Sequence, residues 1–301
     1  MNSADKDLQE NPPEEKSKLG VIVHSFFIIP FLIAVFCVLI FAGVRILTKE
    51  PHTVYDYIED IKVGSLSKRW QAAFELSKIL VNKEKVPREE AFVREMIAAF
   101  EHAKHDDARI RQYLGLAMGR SEIKAFVRPI EDSLSTESEE NLPSLIYALG
   151  LLKSRDTATS IHDFINHPDT RIRLLSVMAL GNIQNPESVP FLQKALNDTE
   201  VNVRWDAAIA LAKFGDDSGY SVLRNLLDRD YLAQFPEVDS YEANEAIVVA
   251  IEASILLNHP QLNETIYQLS ENDENIRVRR VALKAVKMST DKASTQTQNS
   301  L

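Results

Sequence analysis

The sequence has a single cysteine, Cys37, so neither an intrachain disulfide nor a cysteine-based metal site can form. Glycine is scarce, at 9 in 301 residues, too few for the turns of an all-β protein of this length. There is no Gly-rich phosphate loop, no G-x-S-x-G elbow and no H-E-x-x-H pair. No basic run stands out either. The formal net charge is −10, and the five cationic and five acidic residues before Glu50 cancel, so the remainder also carries −10. An acidic body repels phosphate backbones, which argues against general nucleic-acid binding.

The first positive feature is the run Leu19–Val44, 26 residues without Asp, Glu, Lys or Arg. About 20 apolar residues cross a bilayer core. Residues 19–47 are therefore predicted as one transmembrane helix that meets lipid through residues 19–44. A cleaved signal peptide has an apolar region of roughly 7–15 residues and a small-x-small cleavage site. This run is longer, and Ala42-Gly43 leads straight into Val44-Arg45. Pro30 in mid-span predicts a bend. His24 lies near the interface and has no acidic neighbour for a proton relay. Lys6, Lys16 and Lys18 on one side balance Arg45, Lys49 and Lys62 on the other. The positive-inside count thus ties and leaves the side of the soluble part unresolved, with a slight lean to the cytoplasm. Residues 1–18, acidic and containing Pro12-Pro13, are predicted to be disordered, as is the polar stretch 289–301.

Residues 48–288 repeat internally. DDARIRQYLGLAMG from Asp106, HPDTRIRLLSVMALG from His167, DTEVNVRWDAAIALAKFG from Asp198 and NDENIRVRRVALKAV from Asn272 share one pattern. Acidic or amide residues precede a β-branched residue, an arginine and an apolar helical stripe. Aligned on that arginine, the anchors are Arg69, Arg111, Leu142, Arg173, Arg204, Ile247 and Arg279, with gaps of 42, 31, 31, 31, 43 and 32. A period of this size means stacked helical hairpins. Seven units with two insertions account for it. First helices carry Ile161, Phe164 and Ile165, recurring as Leu192, Ala195 and Leu196, with Ile130 and Leu134 one step earlier. Asp169 and Glu200 fall at predicted helix starts. Gly150, Gly181 and Gly215 suit left-handed helix ends, and Pro190 suits a first helical turn. The insertion over 228–241, with Tyr231, Phe235 and Tyr241 among acids, either binds a partner or caps the neighbouring repeat. The other insertion, within Val81–Lys104, extends a first helix.

PESVPFLQKALNDTEVNVRWDAAIALAKFG, Pro186 to Gly215, resembles a short bacterial HEAT repeat of the phycobilisome-lyase-like type, and the likeness runs roughly from Tyr55 to Met288. The whole chain is similar to bacterial single-span membrane proteins with HEAT repeats, which implies an inner-membrane location. The resemblance implies an all-α, right-handed α-solenoid of about seven hairpins, used as a binding scaffold with no reaction and no cofactor. It also implies that each repeat arginine bonds an acid near its own turn: Arg173 with Asp169, Arg204 with Glu200, Arg111 with Asp107. Arg69 and Arg279 have Ser65 and Asn275 at that offset.

Enzymes built on the same repeats are the rival class. Deoxyhypusine hydroxylases hold iron through His-Glu dipeptides, and no histidine here precedes glutamate. His102 and His105, beside Asp106 and Asp107, form a marginal metal candidate at what reads as a polar helix end. A bilin lyase would need a chromophore pocket that nothing in the sequence marks. The expected function is therefore a membrane-anchored scaffold or adaptor for a membrane-associated protein partner. The alternative is a structural subunit of a membrane complex. Solvent-facing residues of second helices, such as Asp206 and Lys213, are better partner-binding candidates than the arginines.

Overall fold

The computed structural model describes residues 24–47 and 52–298, which divide into one unit ending at His52 and another beginning at Thr53. In the first unit a wide π turn at His24–Ile28 leads into α1 (Ile29–Leu47). Residues Phe26–Val44 have the length and composition to cross a membrane, and none of that stretch is buried. Pro30 stands second in α1, immediately after the wide turn, rather than at a bend in mid-helix. A proline cannot donate to the preceding turn, and its ring crowds the carbonyl four residues back. Widening that turn accommodates both. The tail 1–18 and residues 19–23 lie outside the described residues.

The second unit is all helix among its described residues. Seven hairpins follow one another. They are α2 (Val54–Val63) with α3 (Leu66–Ile79), α4 (Glu90–His102) with α5 (Ala108–Ser121), α6 (Val127–Ser133) with α7 (Leu142–Leu152), and α8 (Ala158–His162) with α9 (Thr170–Ile183). Then come α10 (Val189–Ala195) with α11 (Val201–Lys213), α12 (Tyr220–Leu226) with α14 (Ser240–Leu257), and α15 (Pro260–Asn272) with α16 (Ile276–Gln298). The short α13 (Arg229–Leu232) sits inside the sixth hairpin. Every anchor of the 31-residue ruler falls in a second helix, so the period reads the stacking unit directly. α16 carries on through residues 289–298, the polar stretch expected to be disordered. No glycine or proline follows Ile276 to stop it.

Each second helix lies against the next. At three of these joints a glycine eight residues after the anchor meets an alanine six residues after the following anchor. A Cβ on Gly119, Gly150 or Gly181 would stand 2.7 Å from Ala148 Cα, Ala179 Cα or Ala210 Cβ respectively. Gly150 and Gly181 therefore are not left-handed caps. The left-handed residue comes three positions later, eleven after the anchor, at Glu122, Lys153, Gln184, Gly215 and Asn258. Only Gly215 among the three expected caps holds that place, with φ +74°.

First helices are held apart by rings instead. Tyr55 meets Phe92, Phe92 meets Phe126, and His162 stacks on Phe191 with centroids 6.4, 6.2 and 3.9 Å apart. Two layers of unequal spacing bend toward the tighter one. The second helices make the tighter layer at these joints.

The buried core runs from Ile58 to Leu211, and a second core from Trp205 to Ala285 meets it at α11, which gives residues to both. At this junction Tyr231 and Phe235 of the 228–241 insertion cover Trp205, with centroids 6.3 and 5.2 Å away, and Trp205 Nε1 donates to Tyr231 Oη at 3.2 Å. This packing gives both residues a capping role, the second of the two readings open from the sequence. Tyr241 is the exposed aromatic of the segment. Tyr231→Phe should cost about 1 kcal/mol in urea unfolding, because the half-buried indole N–H loses its acceptor.

Candidate functional site

The repeat arginines come first, because they fix how hairpins dock. Arg173 sends Nε and Nη2 to Asp198 at 2.8 and 2.9 Å, and Nη1 to the His167 and Pro168 carbonyls at 3.0 Å. Arg111 sends Nε to Glu137 at 2.6 Å and Nη1 to the Phe100 carbonyl at 2.5 Å, with its guanidinium 3.9 Å from the Phe100 ring centroid. Arg69 pairs with Asp106. In each case the acid belongs to the turn of the next repeat, not to the arginine's own turn as the resemblance implied. Asp107 and Asp169 instead cap their helices and take Arg109 and Arg171. The physical reason is reach. A residue just before a helix accepts from the first-turn N–H groups, so its carboxylate is already engaged where the anchor side chain points away. Arg204 donates only to the Asp198 and Thr199 carbonyls, at 2.7 and 2.9 Å, and not to Glu200. Arg279 likewise bonds the carbonyls of Asp273 and Glu274. Arg229 from the insertion takes the acid of the last turn, Asp273, at 2.8 and 2.7 Å. Sequence reading missed Arg229 because it lies off the ruler.

These arginines are spent on stacking. The outward-facing side of the second helices is of another kind. Five residues after each anchor stand Phe74, Leu116, Tyr147, Met178 and Ile209. Of these, Leu116, Tyr147, Met178 and Ile209 are half-buried and Phe74 is 36% exposed. They form an apolar ladder, one rung per hairpin, widened by Tyr113, Leu151 and Leu175 on the same face. Phe74 and Tyr113 touch edge to face at 5.1 Å. In the last two hairpins the rung is Glu252 and Lys284, so the apolar ladder ends at Ile209.

Asp206 and Lys213 flank that end. Asp206 keeps part of its side chain in solvent, yet the surrounding protein strips its hydration and pushes its carboxyl up to about 6, with Lys213 pulling the other way. Burial likewise depresses the Lys213 ammonium, opposed by Asp206 and aided by nearby Lys153. Lys213 Nζ bonds Asn182 Oδ1 of the preceding second helix at 2.9 Å. Asp206 holds its proton more tightly folded than unfolded, where its value is 3.8. Its contribution to stability is thus greatest below about pH 4, falls as pH rises toward 6, and stays lost above. Asp206→Asn should raise stability by about 1 kcal/mol at pH 8, discounted for partial exposure. The gain should vanish near pH 4, which urea melts at the two pH values will read.

Among the described residues no three His, Cys, Asp or Glu side chains converge. His102 and His105 are both exposed. His162 is buried and 3.0 Å from Ser188 Oγ, and desolvation lowers its pKa, so its ring serves packing.

The model of HEAT repeats matches residues 159–234. The structure is similar to the CpcE–CpcF complex of phycocyanin lyase from Nostoc sp. PCC7120, at 18% identity over 79% of this chain and 88% of that one, with a TM-score of 0.58. The chain is a HEAT/armadillo-like α-solenoid. A HEAT-like repeats protein from the archaeon Thermococcus onnurineus NA1 matches this solenoid at 14% identity over 81% of this chain and 99% of that one, with a TM-score of 0.43. A designed armadillo repeat protein in complex with the peptide (KR)4 matches at 13% over 79% and 99%, with a TM-score of 0.42. At 18% identity the likeness to the CpcE–CpcF structure is one of fold. No curated protein sequence matches the chain.

Proposed function

We propose that the protein is a membrane-tethered scaffold that docks a protein partner on the outward-facing side of its second helices. The observation that carries this reading is the ladder Phe74–Leu116–Tyr147–Met178–Ile209. It repeats one half-exposed apolar position through five hairpins whose other apolar side chains are largely buried. Continuous apolar surface of this kind marks a contact site. The apolar helix Phe26–Val44 supports the tether. Holding the scaffold in a bilayer raises the effective concentration of partners in the same membrane. The scaffold reading is favoured over an enzymatic one because the strongly placed charged groups, Arg69, Arg111, Arg173 and Arg229, are each consumed by a neighbouring turn.

Affinity capture of the full chain from its native membranes tests this directly. One protein should co-purify in near-stoichiometric amount and be lost from a Met178→Glu variant. Retention by the variant, or capture of nothing, overturns the reading. Resistance of the chain to alkaline extraction checks the tether, and protease accessibility in spheroplasts assigns the side.

A further inference from the structure

We infer that the apolar ladder receives an amphipathic α-helix of the partner, laid across the second helices with its acidic flank along the edge formed by Arg120, Lys153 and Lys213. This rests on the docking reading above and names the occupant.

The choice of a helix follows from what the floor offers. An extended segment would press its own N–H and C=O groups against the face, and each one buried without a partner costs about 1–3 kcal/mol. The rungs Leu116, Tyr147, Met178 and Ile209 provide one hydroxyl among four side chains. Asn182 beside them is already bonded to Lys213. A helix satisfies its backbone internally and needs only apolar contact below it. The spacing agrees. Packed helices lie about 8–10 Å apart, and residues seven apart on a helix are about 10.5 Å apart along its axis. One apolar residue per heptad therefore meets one rung per hairpin.

The direction of charge follows from the two edges. At the C-terminal ends of α5, α7 and α11 stand Arg120, which also donates to the Ser77 carbonyl at 2.9 Å, Lys153 and Lys213, and of the nearby acids Glu122 is paired with Lys83 while Asp206 is offset by Lys213. Lys153 is exposed on its left-handed cap and its charge reaches Lys213. At the N-terminal ends Arg109 and Arg171 are held by Asp107 and Asp169, while Glu139, Glu140 and Glu200 stay exposed. The groove is thus cationic on one side and anionic on the other, within a chain of net charge −10. Such a field orients an acid-flanked helix in one sense.

Photo-crosslinking decides the matter. The full-length chain carrying Tyr147→benzoylphenylalanine is irradiated in its native membranes, and the attached peptide is sequenced by mass spectrometry. The expected peptide has apolar residues about seven apart and acidic residues along one side. Adding Lys153→Glu with Lys213→Glu, both at exposed helix ends, should lower its yield about tenfold, with far-UV circular dichroism unchanged. A proline-containing extended peptide or a basic peptide overturns the helix assignment and leaves ladder docking standing. Attachment to a second copy of the chain, to lipid alone or to nothing, while a partner still co-purifies, removes the ladder as the site. The same outcomes without a co-purifying partner remove the scaffold reading as well.

Discussion

Glu137→Ala should lower the unfolding free energy of the solenoid by about 3–5 kcal/mol, the largest loss expected from any single substitution outside the apolar core. The Arg111 and Glu137 side chains are 1% and 3% exposed. Glu137 also accepts from Asn141 Nδ2 at 2.8 Å, so its two oxygens hold the second hairpin and the third together. Removing the carboxylate leaves a guanidinium out of water with only the Phe100 carbonyl and ring for company. A buried charge without its counter-ion is costly, whereas replacing both partners by apolar groups of similar volume is often near neutral. The double variant Arg111→Met with Glu137→Leu should therefore recover most of the loss. Asp198→Ala should cost less, because Arg173 and Asp198 keep 12% and 10% of their side chains in solvent. Urea unfolding of the three variants beside the parent protein, followed by circular dichroism, gives the comparison. Equal losses for Glu137→Ala and Asp198→Ala would show that burial does not set the cost.

Gly150→Ala is the second large effect, and its sign runs against helix propensity. In an exposed helix interior the change would gain about 1 kcal/mol. Here the new Cβ would stand 2.7 Å from Ala179 Cα and 2.9 Å from Ala179 Cβ, so α7 and α9 must separate. Overpacking of this kind costs about 1–3 kcal/mol, and a net loss of about 2 kcal/mol is expected. Gly115→Ala makes a useful contrast. Its nearest obstacle is Leu145 Cδ2, the far end of a side chain that can rotate away, so its cost should be smaller. Thermal melts separate the two.

The repeat register was legible because a stacked hairpin imposes one environment on every copy, and the anchor arginine and the small residues after it follow that environment. The pairing of the arginines was not legible. An offset within one repeat and an offset into the next are equally regular along the chain, so periodicity alone cannot say which turn Asp169 or Asp198 serves. The caps were hidden for another reason. Glu122, Lys153, Gln184 and Asn258 adopt the left-handed conformation without glycine, so composition points to the tight glycines at 150 and 181 instead. The ladder rungs Leu116, Tyr147 and Met178 read as ordinary core positions until the neighbouring helices show which side of each faces outward. Asp206 and Lys213 were reachable from sequence, because charges in a helix of buried apolar residues must point away from the core.

Where the second hairpin meets the third, and the fourth the fifth, rings in one layer and a bare α-carbon in the other taper the block like a stone cut for an arch. The taper there is set by single atoms, so one added methyl group would widen the joint and strain the arginine bridges that cross it. The keystone joint at α11 is cut differently, filled by the rings of Tyr231 and Phe235 against Trp205 and fastened by one hydrogen bond from the indole.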